Sequence, residues 1–191
     1  MSPMPMPPMD MEPARDPDDR RVLVAGIGNI FLSDDGFGVE VAQRLRARPV
    51  PDGVRVEDFG IRGVHLAYEL LEGYETLVLV DAVPMGEAPG TVALLEPEIS
   101  DLEPGDDPAP TLEAHSMSPA VVLDMLAGLG GRVDRILIVG CEPASVEEGI
   151  GLSDVVAASV DRAVEAVDDV LAELCPSASR RDVAMRGEAS P

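Results

Sequence analysis

Short apolar runs that alternate with helical patterns constrain the fold of this 191-residue chain most strongly. The runs at 21–27, 76–80 and 135–139 are almost continuously apolar, as buried parallel strands require. The run at 54–59 alternates apolar and charged residues, and 91–95 is a short β-prone segment expected to form a hairpin with the strand before it. Strands that alternate with helices predict an α/β fold. We expect three layers, with helices on both faces of a mostly parallel, twisted sheet of about five strands.

The helices are predicted from apolar residues that recur every three or four positions. Segments 37–45, 64–71 and 118–129 carry this pattern, and Ser118 with Pro119 is a favourable start for the third helix. The last helix has the clearest pattern, and Ser153 is expected to cap it. Its apolar stripe consists of Val156, Val160, Val164, Val167, Leu171 and Leu174.

Both ends of the chain differ in composition from the part between them. Residues 1–20 are rich in Met and Pro, and residues 176–191 are rich in Ser, Arg and Ala. Neither end shows apolar periodicity, so we expect two disordered tails around one α/β domain at 21–175. The start does not resemble a secretory signal, and no apolar stretch approaches the roughly 20 residues of a membrane span. A cytoplasmic protein is the natural prediction.

The balance of charge restricts the class of partner. The formal net charge is −22, from 36 acidic and 14 basic residues. Such a charge repels phosphate backbones and anionic lipids, which argues against nucleic acid or membrane partners. It is compatible with a cation or a basic peptide.

Ligands of open α/β sheets bind at the carboxyl ends of the strands, and polar residues follow the predicted strands there. Carboxylates and one imidazole are expected to meet at this edge and to suit a divalent metal with positions left open for substrate or water. Each also has a structural alternative: Asp34 and Asp35 as helix N-caps, Asp81 as a turn residue and His115 as a donor to a loop carbonyl. The residues expected at this edge are Gly28, Asn29, Asp34, Asp35, Phe59, Gly60, Gly63, Asp81, His115, Ser116, Cys141 and Glu142.

Two other kinds of site are disfavoured. The Gly26-Ile27-Gly28 segment resembles a dinucleotide fingerprint, but Phe31 stands in place of the third glycine and the two aspartates would repel a pyrophosphate. No local zinc-protease motif occurs, and His65 on the second helix is expected to be structural. Cys141 could bind a soft metal, although a small buried apolar residue is the favoured interpretation.

Ordered motifs along residues 21–174 resemble the hydrogenase maturation protease family. The longest is the segment at 26–39, which reads GIGNIFLSDDGFGV. The others follow in the order of the family, as DFGIRG at 58–63, LVLVDA at 77–82, PGT at 89–91, HSMS at 115–118, VGCEP at 139–143 and GLS at 151–153.

The resemblance implies an endopeptidase that removes a short C-terminal extension from the large-subunit precursor of a nickel–iron hydrogenase after nickel has entered it. The nickel would be supplied by the precursor, with zinc or cadmium as alternative occupants of the site. The metal contacts of the family fall on Asp35, Asp81 and His115, with Asp35 and Asp81 as catalytic candidates. Many members carry Glu in place of Asp35, so Asp34 remains an alternative first-loop ligand.

The sequence does not decide the roles of the remaining site residues or the mechanism. Gly28, Asn29, Asp34, Gly60 and Gly63 are expected to support the loops or bind substrate. Either the metal or a carboxylate would activate the attacking water. The family suggests a monomer. A non-catalytic chaperone that senses nickel in the same precursor is the alternative function.

Overall fold

The computed structural model describes residues 21–98 and 119–176. Within these residues, five strands form one sheet. The strands are β1 (Val22–Ile27), β2 (Val54–Gly60), β3 (Thr76–Ala82), β4 (Val92–Leu95) and β5 (Arg135–Cys141). Their order across the sheet is β2-β1-β3-β5-β4, in which β4 is antiparallel to β5 and the other pairs are parallel. The predicted mostly parallel sheet of about five strands is therefore confirmed.

The helices of the described residues lie on both faces of this sheet. They are α1 (Phe37–Arg46), α2 (Gly63–Leu70), α3 (Pro119–Gly128), α4 (Asp154–Ala157) and α5 (Val160–Leu174), and a single 3-10 turn (Ser33–Gly36) precedes α1. Side chains of α1, α4 and α5 share one apolar core, and side chains of α2 and α3 share the other. The fold has the three layers that were expected from the sequence.

The central strands explain why their sequences are almost continuously apolar. Successive side chains of a strand point to opposite faces. In β1, Val22 and Val24 belong to the core under α1 and α5, whereas Leu23 and Ala25 belong to the core under α2 and α3. Every residue of β1 is buried, as a strand between two helical layers requires.

The pairing of β4 differs from the expected hairpin. Segment 92–95 pairs with β5 rather than with β3, the strand that precedes it in the chain. Both edges of β3 are occupied by parallel neighbours, β1 on one side and β5 on the other. The segment therefore has to cross to the free edge of β5.

The final helix is interrupted, contrary to the prediction of one long helix. The interruption falls at Ala158 and Ser159, between α4 and α5, and the buried Ser159 hydroxyl donates to the carbonyl oxygens of Gly90 (2.7 Å) and Val155 (3.0 Å). Ser153 precedes α4 but makes no side-chain capping bond. All six residues of the predicted apolar stripe are buried, which confirms the stripe.

Some of the predicted features belong to residues that the structure does not describe. The predicted tail at 1–20 and the segment that includes His115 and Ser118 lie outside the described residues, as does the predicted tail at 176–191 apart from Pro176. Among the helices that the structure does describe, none combines the length and apolar character needed to cross a membrane.

Candidate functional site

Two carboxylates, Asp35 and Asp81, meet at the carboxyl ends of β1 and β3, and we refer to them as the carboxylate pair. Asp81 is the sixth residue of β3, and Asp35 lies in the 3-10 turn after β1. Burial of Asp81 and the nearby negative charge of Asp35 raise the pKa of Asp81 to about 7, against the effect of a hydrogen bond from the backbone N–H of Ala82. The charge of Asp35 is thus close enough to disfavour ionisation of Asp81.

Among the residues that the structure describes, neither member of the carboxylate pair has a basic partner. No arginine within residues 21–98 and 119–176 forms an ion pair with Asp35 or Asp81, and the chain contains no lysine. The described part holds no cluster of three or more His, Cys, Asp and Glu suited to a metal. His115, the third expected ligand, lies outside that part of the chain.

Close backbone packing brings the loop between β1 and α1 (residues 28–36), which we call the first loop, to the end of β3. A Cβ atom added at Gly38 would lie 2.0 Å from the carbonyl oxygen of Val80, so only glycine lets the start of α1 approach this strand. Gly28 has a φ of 126°, and a Cβ there would lie 1.8 Å from the carbonyl oxygen of Asp35. These two contacts fix the position of Asp35 relative to Asp81.

Backbone donors then orient the first loop. Asp35 accepts a hydrogen bond from the backbone N–H of Asn29 at its Oδ2 atom, at 2.6 Å. The side-chain oxygen of Asn29 accepts in turn from the N–H of Phe31 (3.0 Å). The N–H of Gly28 donates to the carbonyl oxygen of Gly60 (3.0 Å), which joins the loop to the end of β2. Gly63 lies farther along the chain, as the first residue of α2.

Asp34 has a different environment from its neighbour Asp35. Its carboxylate is fully buried and accepts hydrogen bonds from the N–H groups of Ala144 (2.8 Å), Ser145 (3.0 Å) and Ser153 (2.6 Å), and from the Ser153 hydroxyl (2.9 Å). Burial raises the pKa of Asp34, but these donors outweigh burial and hold its pKa below the usual value. We call this set of four residues the loop clamp.

The loop clamp overturns the N-cap prediction for the two aspartates. Helix α1 begins after Gly36 and has no side-chain cap. The two aspartates lie in the 3-10 turn before α1 and do not cap that helix. Asp34 instead accepts hydrogen bonds from segment 144–153, which is far from it in the sequence. Sequence analysis missed this segment as a partner, although the GLS motif at 151–153 contains the Ser153 that binds Asp34.

Further backbone bonds join the same two loops. The N–H of Ser33 donates to the carbonyl oxygen of Gly149 (3.0 Å), and the N–H of Gly149 donates to that of Phe31 (2.9 Å). The Ser33 hydroxyl donates to the carbonyl oxygen of Glu147 (3.0 Å). The loop that carries Asp35 is therefore held in place along its length by segment 145–149.

The two remaining candidate residues lie away from this chemistry. Cys141 is fully buried in the core, and burial, followed by the charges of Asp34 and Glu142, raises the pKa of its thiol to about 11. A protonated, buried thiol agrees with the predicted small apolar role. His65 is exposed on α2, so the structural role predicted for it has no core packing to support it.

Comparisons with known proteins agree with this geometry. The family model described as hydrogenase maturation protease matches residues 39–170. The hydrogenase expression/formation protein HupD of Bradyrhizobium diazoefficiens is 33% identical over 169 residues, which cover 85% of this chain and 84% of HupD. The hydrogenase 2 maturation protease of Escherichia coli is 34% identical over 160 residues, which cover 80% of this chain and 92% of that protein.

A solved structure shows the same fold. The hydrogenase maturating endopeptidase HybD from Escherichia coli superposes with a TM-score of 0.67 at 32% identity, covering 80% of this chain and 93% of HybD. The names of the two Escherichia coli proteins and of the family model describe a protease or an endopeptidase, and nothing in the comparisons favours a non-catalytic chaperone. The chain therefore belongs to the hydrogenase maturation protease family and is an endopeptidase of hydrogenase maturation.

Proposed function

We propose that this endopeptidase removes a short C-terminal extension from the large-subunit precursor of a nickel–iron hydrogenase once nickel is in place. The observation that carries the proposal is the carboxylate pair, in which burial and a like charge raise the pKa of Asp81 to about 7. Two neighbouring carboxylates without a basic partner are stabilised by a cation. In this proposal the cation is nickel, and it arrives with the substrate.

The donor set fits that substrate. The carboxylate pair supplies oxygen ligands from two rigid positions, the end of β3 and the anchored first loop. His115, which the family resemblance assigns to the same site, adds a nitrogen donor suited to nickel. When bound beside the scissile peptide, nickel supplies Lewis-acid chemistry to the carbonyl or to a water molecule.

Asp35, rather than Asp34, is the first-loop ligand in this proposal. The two oxygens of Asp34 already accept four hydrogen bonds in the loop clamp. Removing the buried Asp34 carboxylate from those donors would leave it without hydrogen-bond partners, which is costly. Asp35 accepts a hydrogen bond at Oδ2 from the N–H of Asn29 and lies beside Asp81.

Asp81 is the residue to which we assign proton transfer. A group whose pKa lies near neutrality is efficient both as a base and as an acid. Its carboxylate accepts a proton from the attacking water, the water oxygen bonds to the scissile carbonyl carbon, and the proton passes to the leaving amine as the C–N bond breaks. The anchored loop and the strand end keep both carboxylates in position during this sequence.

Three further parts of the proposal concern the protein as a whole. The partner is the large-subunit precursor, which the enzyme engages transiently. The enzyme acts as a monomer. Its location is the cytoplasm, in keeping with the composition of the chain.

The assignment of residues is tested by cleavage of purified, nickel-loaded precursor, followed by intact-mass spectrometry. We expect Asp35→Asn and His115→Gln to abolish the mass loss within the time in which the wild type completes it. Asp124→Asn, an exposed aspartate on α3, is the matched control and should cleave as the wild type does. Wild-type rates for both site variants would contradict the assignment.

A further inference from the structure

An open cleft lies beside the loop that carries Asp35. Its volume is about 370 Å³, and it runs between α1 and segment 150–152. Ser33 and Gly36, which flank Asp34 and Asp35 in the chain, line the cleft. Its walls are largely apolar and include Ile30, Val39, Ile150, Leu152, Ala157 and Val160. A peptide bound in this cleft would therefore contact Ser33 and Gly36, the chain neighbours of Asp34 and Asp35.

Large apolar side chains are exposed at the rim of the cleft. Ile150 is 84% exposed, Phe31 62% and Ile30 48%. Contiguous apolar surface of this kind on a folded protein marks an interaction site. Because Gly149 and Phe31 are joined by a backbone hydrogen bond, these side chains come from two loops that lie side by side.

The rim is also acidic. Glu147, Glu148 and Asp154 are exposed on the segment that forms one side of the cleft, and none of them forms an ion pair within residues 21–98 and 119–176. Arg44 lines the cleft, but its charge is offset by Glu40 (3.3 Å) and Asp161 (2.5 Å). The local field thus favours an occupant that carries positive charge.

We propose that this cleft is a substrate-binding subsite that takes an apolar side chain of the hydrogenase precursor, next to basic residues that face Glu147 and Glu148. The proposal rests on the proposed function, since the occupant is the same precursor that is cleaved at the carboxylate pair. The apolar wall supplies affinity through burial, and the acidic rim selects the flanking charge. The loop clamp preforms the subsite by fixing both loops before substrate arrives.

Direct binding of the purified precursor to the full-length enzyme, measured by surface plasmon resonance beside a cleavage assay, tests the subsite. Ile150→Asp places a charge on the apolar rim, and we expect a Kd and a KM about tenfold or more higher than in the wild type. The effect on kcat should be much smaller, because the lost interaction is made before the chemical step. Val121→Asp, on the 47% exposed Val121 of α3, is the matched control and should bind as the wild type does.

A second variant addresses the charged rim. Glu147→Gln combined with Glu148→Gln should reduce the salt dependence of precursor binding while the fold is kept, as judged by an unchanged melting temperature. Phe31→Ser provides an independent lesion of the apolar rim if Ile150→Asp lowers the melting temperature. The subsite is overturned if the wild type, Ile150→Asp and Phe31→Ser bind the precursor equally well.

The failures of the two proposals can be told apart. Normal cleavage with equal affinities for all variants overturns the subsite and leaves the proposed function intact. Weaker binding by Ile150→Asp, in the absence of cleavage by any variant, overturns the proposed function and supports the subsite. If the wild type neither binds nor cleaves the precursor, both are overturned.

Discussion

The loop clamp and the carboxylate pair both contain aspartates, but the surroundings of these side chains are opposite in character. In the loop clamp, buried Asp34 accepts four hydrogen bonds, and its pKa is held below the usual value. In the carboxylate pair, Asp81 faces a second carboxylate, and its pKa rises to about 7. A buried charge that the fold satisfies stabilises the fold, whereas one that the fold leaves unsatisfied is available to a ligand.

Asp34 and Asp81 make the stability of the fold depend on pH in opposite directions. The folded pKa of Asp34 lies below its unfolded value, so its contribution is present above the unfolded value and is lost as pH falls through the folded pKa. The folded pKa of Asp81 lies above its unfolded value, so stability falls as pH rises from about 4 to about 7. One region therefore stabilises the fold at neutral pH and loses this effect in acid, and the other weakens the fold at neutral pH.

The largest expected effect is on catalysis, in Asp81→Asn. We expect a loss of cleavage of about 10³-fold, because proton transfer and one metal contact are removed together. The melting temperature at pH 8 should be unchanged or higher, since a buried like charge is removed, and the difference should vanish near pH 4. Cleavage assays and thermal unfolding at the two pH values check this prediction. An inactive variant that is also strongly destabilised at pH 8 would contradict the claim that the charge of Asp81 weakens the fold.

The second effect is on stability, in Asp34→Ala. This change leaves the part-buried N–H groups of Ala144, Ser145 and Ser153 without their acceptor, and the free energy of unfolding should fall by about 3 kcal/mol. The difference from the wild type should shrink below pH 4, where Asp34 of the wild type begins to be protonated on unfolding. Urea unfolding at pH 7 and pH 3 measures both values. A variant as stable as the wild type at pH 7 would show that the loop clamp is not structural.

A smaller loss is expected from Ser153→Ala, which removes one of the four donors to Asp34. The hydroxyl bond to a carboxylate is worth about 1.5 kcal/mol, while the N–H of Ser153 still binds Oδ1. Cleavage at 25 °C should remain close to that of the wild type, because the first loop keeps its other anchors. Ser145→Ala, which keeps the N–H bond to Asp34, is the matched control, and an equal loss of stability in both variants would argue against the role of the Ser153 hydroxyl.

The smallest effect is expected from Asp35→Glu. The resemblance to the family implies that Glu is accepted at this position, so cleavage should stay within about tenfold of the wild type. Asp34→Glu, in contrast, should destabilise the protein, because the longer side chain does not fit four fixed donors. Parallel cleavage and unfolding measurements on the two variants would sharpen the distinction between neighbouring aspartates.

Much of the fold could be predicted from the sequence because its causes are local. The apolar runs of β1, β3 and β5 reflect burial on both faces, and the stripe from Val156 to Leu174 reflects a helix with one buried face. The pairing of β4 could not be predicted in the same way, because it depends on which strand has a free edge in the finished sheet.

The candidate site was predictable in part for the same reason. Asp35 and Asp81 follow strands, and the topology of a parallel sheet brings such positions together. The role of Asp34 was not predictable, because its donors lie 110 to 119 residues away in the chain. Ser153 was expected to cap its own helix, but the stronger partner for its hydroxyl is the buried carboxylate.

The most direct test of the account compares nickel-loaded and nickel-free precursor as substrates of the wild-type enzyme. Each precursor is incubated with enzyme under identical conditions, and its intact mass is followed over time. The account predicts that only the loaded precursor loses a short C-terminal peptide, because the carboxylate pair recognises the metal. Equal rates of shortening for both precursors would contradict the account.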